Sequence, residues 1–268
     1  MISLCPHLIL LSLHRTILST AYFTFVATDP VTKKPVKIPP LQPETDVEKL
    51  QFEAGKRRAQ AKKAARKNRK TLDQEVDVQA KKLLAEAGPL LNMPSLADPN
   101  SILMNATQLQ NAEMAQPQLR NLANRIFGGF LMRRAFELAY ACSYLFGGAR
   151  PRFLEVDEVS FQAPVDVGDL TVFNARVLYT HMIQDGSSMD FQPIDGMKNV
   201  PLVTIEVEAW IAEPEERNAK LSNQFYFTFA LPSDTVVRKV LPSSMDEARR
   251  MVKRIQADDA HRKNERMK

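Results

Sequence analysis

Two adjacent glycines, Gly128 and Gly129, follow the polar pair Asn124-Arg125 and precede a run whose apolar residues recur at helical spacing. Leu131, Ala135, Leu138, Ala139, Cys142 and Leu145 form the apolar stripe of one long helix. A helix that opens on two glycines leaves backbone N–H groups bare at the positive end of its dipole. Such a place binds anions, and it can hold the oxygen of a carbonyl as it becomes an oxyanion. Acyl-transfer chemistry fits there. The competing reading is a glycine pair that only lets the helix pack closely on a sheet, and this stretch alone leaves the two about even.

The elements around that helix narrow the choice. Gly147-Gly148 gives a helix stop. Residues 156–170 then read as a strand, a Pro164-Val165 turn and a Gly168-Asp169 lead into a second strand. Residues 170–179 alternate in part. Residues 200–211 alternate more clearly, with Val203, Ile205, Val207 and Ala209 on one face, and residues 221–231 place Phe225, Phe227 and Phe229 together. One long helix followed by several antiparallel strands, without βαβ alternation, is an α+β pattern.

Asn124-Arg-Ile-Phe-Gly-Gly-Phe-Leu-Met132, the long helix, and Phe161-Gln-Ala-Pro-Val-Asp-Val-Gly-Asp169 together resemble the hotdog fold of acyl-CoA thioesterases. The resemblance is nearest to the mitochondrial thioesterases that carry two hotdog repeats in one chain, and it covers roughly residues 100–232. It implies a curved antiparallel sheet wrapped around the helix, a second hotdog unit paired with it, and acyl-CoA in the groove between the two. It implies a CoA thioester as substrate, no cofactor, and a mitochondrial location; the chain's own start is a poor presequence, since its first basic residue is Arg15. Hotdog units also serve as inactive partners, so a non-catalytic scaffold is the alternative function.

The resemblance also assigns site residues. Thioester hydrolysis needs a positioned water, a group that orients or deprotonates it, and donors for the oxyanion. The N–H groups around Gly128 and Gly129 would be those donors. The family places an Asn or Asp before the diglycine, typically three positions ahead of the first glycine. Arg125 stands there in this chain, with Asn124 one step earlier. Asn124 is thus the expected water-orienting group, and Arg125 an alternative contact for a CoA phosphate. The family's second position, a carboxylate seven residues after the second glycine, is Phe136, and Glu137 follows it. Glu137 is the only carboxylate between the diglycine and Gly147, and its plain reading is a surface helix acid. Arg125, Arg133, Arg134, Arg150 and Arg152 are the expected phosphate contacts, because guanidinium groups suit phosphate; a role in solubility is the plain alternative. Acyl-chain length is not readable, since two units would shape the pocket.

Tyr22-Phe23-Thr24-Phe25 recurs as Tyr226-Phe227-Thr228-Phe229. With the resemblance, residues 15–30 look like the last strand of a first hotdog repeat, whose remainder is expected upstream of Met1. The expected organisation is a remnant of that repeat over 1–35, a charged helical and proline-rich linker over 36–99, the hotdog domain over 100–232, and a C-terminal helix with a polar tail over 233–268.

Composition sets further bounds. The 268 residues carry a net charge of +5, but segment 56–70, KRRAQAKKAARKNRK, holds nine basic residues and no acid, so the remainder is near −4. That segment reads as a helix charged around most of its surface. It has no aromatic residues and matches no nucleic-acid module, so a solvated linker helix is favoured over a nucleic-acid or anionic-membrane patch. His7, His14, His181 and His261 are not spaced for a metal site. There is no Gly-x-Ser-x-Gly elbow. Cys5 and Cys142 make no disulfide framework, and no run reaches membrane-spanning length. From Ser243 an amphipathic helix is expected, with Met245, Ala248, Val252 and Ile255 on one face, turning polar and frayed from Asp258.

Overall fold

The computed structural model describes residues 27–265 apart from residues 28, 30, 31, 33, 68, 122, 123, 158 and 184–199. The Tyr22–Phe25 tetrapeptide, Cys5, His7 and His14 lie outside the described residues. The chain divides into two units, Met1–Arg69 and Lys70–Lys268. The division falls inside the stretch expected to be a linker.

The first unit contains α1 (Asp46–Lys67). Its start is written in the sequence as Thr45-x-x-Glu48. The Glu48 N–H donates to Thr45 Oγ1 at 3.3 Å, and the Thr45 N–H donates back to Glu48 Oε2 at 3.0 Å. This reciprocal capping box satisfies two N–H groups that the helix cannot. Helix thus covers most of the basic segment, as its composition predicts.

In the second unit come α2 (Arg69–Glu86, of which Arg69 belongs to the first unit), a short α3 (Gly88–Asn92), β1 (Ser101–Leu103) and β2 (Leu109–Met114). Then follow α4 (Gly128–Gly147), β3 (Arg152–Val156), β4 (Ser160–Phe161), β5 (Leu170–Ile183), β6 (Val200–Glu213), β7 (Asn218–Ala230), β8 (Lys239–Leu241) and α5 (Met245–Glu265). The main sheet is antiparallel in the order β2-β5-β6-β7-β3, with β4 also pairing β7. The inward faces of β5, β6 and β7 enclose α4 through Phe173, Val177, Ile205, Val207, Phe225 and Phe227, packed with Leu131, Ala135 and Leu138. This is the hotdog architecture, α+β, with the long helix as filling.

Three features depart from the simple pattern. The register of β5 on β6 slips between Val177 and Tyr179. Leu178 is the extra residue, which is why residues 170–179 alternate only in part: the bulge returns Tyr179 to the outer face. Second, Leu145 is 73% exposed. The other five residues of the expected stripe are buried, and Ser143 takes the place of Leu145, because the sheet covers that side of the helix. Third, β6 is buried on both faces over most of its length. Its outer face is covered by α5, not by solvent.

α5 begins as expected, with the Ser243 N–H and hydroxyl both donating to Glu247 Oε2, at 2.7 and 2.6 Å. It does not fray at Asp258. The helix runs to Glu265, and Asp258 is buried, accepting from the Tyr179 hydroxyl and from Arg254. Val76 and Ala80 of α2 pack on Ala248 and Val252 of α5. Arg249 donates to Asp77 at 2.7 Å, and Lys253 stands 3.0 Å from Asp73. Part of the expected linker, α2, is therefore a structural partner of the C-terminal helix.

Candidate functional site

The site is built around the turn that leads into α4. The Ile126 N–H donates to Val165 O at 2.9 Å and the Phe127 N–H to Leu119 O at 2.9 Å, which pin the approach to the helix from both sides. Phe127 is the N-cap and offers no side-chain oxygen. The Phe130 and Leu131 N–H groups fold back to Phe127 O, which starts the helical ladder. Gly128 and Gly129 lie ahead of that ladder, with N–H groups directed along the axis at the positive end of a 20-residue helix.

Aromatic rings lie against both glycines. A Cβ at Gly128 would come within 2.6 Å of Phe161 Cε1, and one at Gly129 would collide with the Phe127 ring. Those rings are 58% and 60% exposed. The close-packing reading of the diglycine therefore holds in part. The partners are exposed rings beside the helix start, so the bare N–H groups and the tight packing occur together.

The loop before the glycines explains Asn124. The Asn121 N–H donates to Arg125 O at 2.7 Å, Arg125 N–H to Asn121 Oδ1 at 3.2 Å, and Asn124 N–H to Asn121 O at 3.0 Å. The chain turns back here, and Asn124 takes φ = 60°. Asparagine tolerates that left-handed conformation better than most residues. Its Oδ1 accepts from Arg120 at 3.1 Å. Asn124 is exposed, three residues ahead of Phe127. Asn121, which closes the turn, went unnamed in the sequence reading because its role depends on backbone geometry.

Phe136 occupies the position where the family resemblance implies a carboxylate, and packs among Phe153, Phe227 and Phe229, with ring centroids 5.3–6.0 Å away. That surrounding explains an apolar residue there. Glu137 stands on the solvent flank of α4. Arg133 Nε donates to its Oε1 at 2.9 Å and Arg134 Nη1 to its Oε2 at 2.8 Å. The two guanidinium groups, Arg133 first, hold its carboxyl below the ordinary glutamate range. Glu137 lies eight residues beyond Gly129, about 12 Å along the axis at 1.5 Å per residue.

The five arginines fall into three places. Arg133 and Arg134 flank Glu137, and Arg134 also reaches Glu113 on β2. Arg125 is near the turn, 3.7 Å from Asp166. Arg150 and Arg152 follow the end of α4, where Gly148 closes the helix with φ = 64°. They are about 30 Å from the glycines along a 20-residue helix. One chain does not gather the five around one ligand.

The remaining reactive side chains are accounted for. Cys142 is buried on α4, and burial pushes its thiol up to about 12, so it is not a thiolate nucleophile near neutral pH. His181 lies on β5 and stacks on Tyr179. No cluster of metal-ligating side chains occurs among the described residues. No described helix is long and apolar enough to cross a membrane.

The second polar centre is the outer face of the sheet, beneath α5. Glu206 is fully buried and accepts from Arg250 at 3.1 Å and Gln224 at 2.8 Å. Glu208 accepts from Arg176 at 2.8 Å and Arg250 at 2.9 Å. Burial raises the Glu206 carboxyl above the ordinary range, opposed mainly by Arg250. Two acids at outward positions of the strand read from the sequence as solvent-facing, so the covering by α5 gave no signal there.

Comparison with known proteins places this geometry. No family model matches the chain. The chain is 43% identical over 248 residues to an acyl-coenzyme A thioesterase 4, mitochondrial, of Humulus lupulus, which covers 90% of this chain and 45% of that protein. It is 39% identical to an acyl-coenzyme A thioesterase 2, chloroplastic, of the same plant, over 89% of this chain and 54% of that one. The chain thus spans about half the length of the curated relatives it matches. Among solved structures, an acyl-CoA hydrolase from Staphylococcus aureus in complex with butyryl coenzyme A aligns with a TM-score of 0.48 at 22% identity, covering 61% of this chain and 95% of that one.

Proposed function

We propose that this chain supplies a hotdog unit of an acyl-CoA thioesterase, which hydrolyses fatty acyl-CoA to free fatty acid and CoA. The observation that carries the reading is the 43% identity, over nine tenths of the chain, to a protein named for that activity. The half-buried diglycine falls inside the matched stretch, and its backbone N–H groups would be the donors that the reaction needs.

The chemistry follows from those donors. The thioester oxygen lies against the N–H groups of Gly128 and Gly129, which stabilise the charge that develops as water adds to the carbonyl carbon. The tetrahedral intermediate then expels the CoA sulfur, and the water's protons end on the thiol and in solution. Glu137 of the paired unit holds the attacking water by accepting a hydrogen bond from it, with Asn124 as the second polar group. Arg125, Arg133, Arg134, Arg150 and Arg152 are the candidate phosphate contacts.

The separation between Gly129 and Glu137 supports a shared site. Glu137 is on the side of α4 away from its own sheet, so it serves a thioester lying between this unit and another hotdog unit, either a second copy or a further repeat. The same pairing would bring Arg150 and Arg152 of one unit toward a ligand held mainly by the other. The working location is the mitochondrion, supported by the name of the 43% identical relative; the chloroplastic name of the other is the competing address.

Release of CoA thiol from butyryl-, decanoyl- and palmitoyl-CoA tests the reading, with the Glu137→Gln chain as control. Turnover that falls about 100-fold in the variant supports it, that being the order expected when the attacking water is misplaced. Equal turnover in both removes Glu137 from the chemistry.

A further inference from the structure

Glu137 is held by a chain of charges that begins on the sheet. Each carboxylate oxygen has its own guanidinium, from Arg133 and Arg134. Arg134 in turn donates through Nε to Glu113 Oε2 at 2.5 Å. Glu113 lies on β2, paired with Thr171 of β5, and its side chain is only 26% exposed. The Arg134 guanidinium also lies 5.9 Å over the Phe130 ring.

Surface pairs three or four residues apart on a helix are individually weak, because both side chains must be ordered to make them. The Glu113 contact changes that balance. It comes from another element, is partly buried, and fixes the planar guanidinium, whose remaining edge then faces Glu137. We infer that Glu113 is a positioning residue: through Arg134 it orients the Glu137 carboxylate and sets its charge for the reaction proposed above, on which this inference rests.

The charged groups facing Glu137 are Arg133 and Arg134 from α4, and Glu113 from β2 behind Arg134. Clamped at both oxygens, Glu137 keeps lone pairs for a water but is a weak proton acceptor. It orients water more than it stores a proton. Arg134 favours the charged form of Glu137, and Glu113 acts on it through the guanidinium that it fixes.

The test is a carboxyl-carbon NMR titration of Glu137 in the full chain, run alongside the pH profile of acyl-CoA hydrolysis. Arg134→Gln should raise the Glu137 midpoint, and Glu113→Gln, by loosening Arg134, should raise it by a smaller amount. Arg134→Lys keeps the charge but loses the fork; the midpoint stays near that of the parent, while kcat falls about tenfold, as expected when orientation is lost. A Glu137 midpoint that falls or does not move in Glu113→Gln overturns the inference. So does a parent-like kcat in Arg134→Lys. Upward shifts in both glutamine variants of a chain that hydrolyses no acyl-CoA support the charge chain and sink the functional reading, so the two failures are separable.

Discussion

At the residue scale, Asn124 offers two explanations that a pair of substitutions separates. Its left-handed backbone suits asparagine or glycine, and an alanine there costs about 1 kcal/mol. Asn124→Gly therefore keeps the stability of the parent, and Asn124→Ala loses about that amount in a denaturant melt. If the carboxamide serves the reaction, both variants lose turnover. A fully active Asn124→Gly chain would make Asn124 a turn residue only. Gly129→Ala is the complementary experiment. The methyl group collides with the Phe127 ring, but that ring is exposed and can swing away, so the thermal midpoint should stay within a few degrees. The donor pair becomes crowded, and turnover should fall by about 100-fold, the order seen when an oxyanion donor is lost. A large loss of stability with little loss of turnover would leave only the packing role.

Legibility at this scale was uneven. Gly128 and Gly129 could be picked out because diglycine at a helix start is chemically distinctive. Glu137 could be found as an acid on a helix, but its clamp could not, since Glu113 lies 21 residues before Arg134 and meets it only through the fold. Arg150 and Arg152 showed the reverse difficulty: composition grouped them with Arg133, and helix length separates them.

At the scale of elements, the inner face of the sheet was readable and the outer face was not. Val203, Ile205, Val207 and Ala209 announce β6 by alternation, and Phe225, Phe227 and Phe229 announce β7. The polar register between them, with Glu206 and Glu208, reads as solvent-facing until α5 is laid over it. The parallel pairing of β1 with β8 was equally hidden, because three-residue strands carry no periodicity.

The buried acids make a pH prediction. Glu206 has a raised carboxyl in the folded chain, so its contribution to stability is present below the unfolded glutamate value and is lost as pH rises through the folded one. Glu206→Gln removes that titration. The stability deficit of the variant should thus be larger near pH 4.5 than near pH 8, measured by urea melts at both. A deficit that grows with pH would mean that Glu206 is held mainly by Arg250 and Arg176, with burial the lesser effect.

For the whole molecule, the boundary at Arg69/Lys70 carries a direct consequence. A chain starting at Lys70 retains α2 and should melt as cooperatively as the parent. One starting at Asn100 loses Val76 and Ala80 from the surface of α5, together with the Asp77 and Asp73 ion pairs. Burying such apolar side chains stabilises by about 1 to 3 kcal/mol each, so its midpoint should drop by several degrees. Equal midpoints would show that the C-terminal helix does not need α2.

Participation of the diglycine turn of this hotdog unit in hydrolysis of a CoA thioester, as proposed, is tested most directly by release of free CoA thiol by purified residues 1–268 over short to long acyl-CoAs, with the solution mass determined on the same sample. Turnover is expected from a species of at least two copies, lost in Gly129→Ala without loss of fold. A folded, paired chain that binds CoA yet releases no thiol from any acyl-CoA would contradict it.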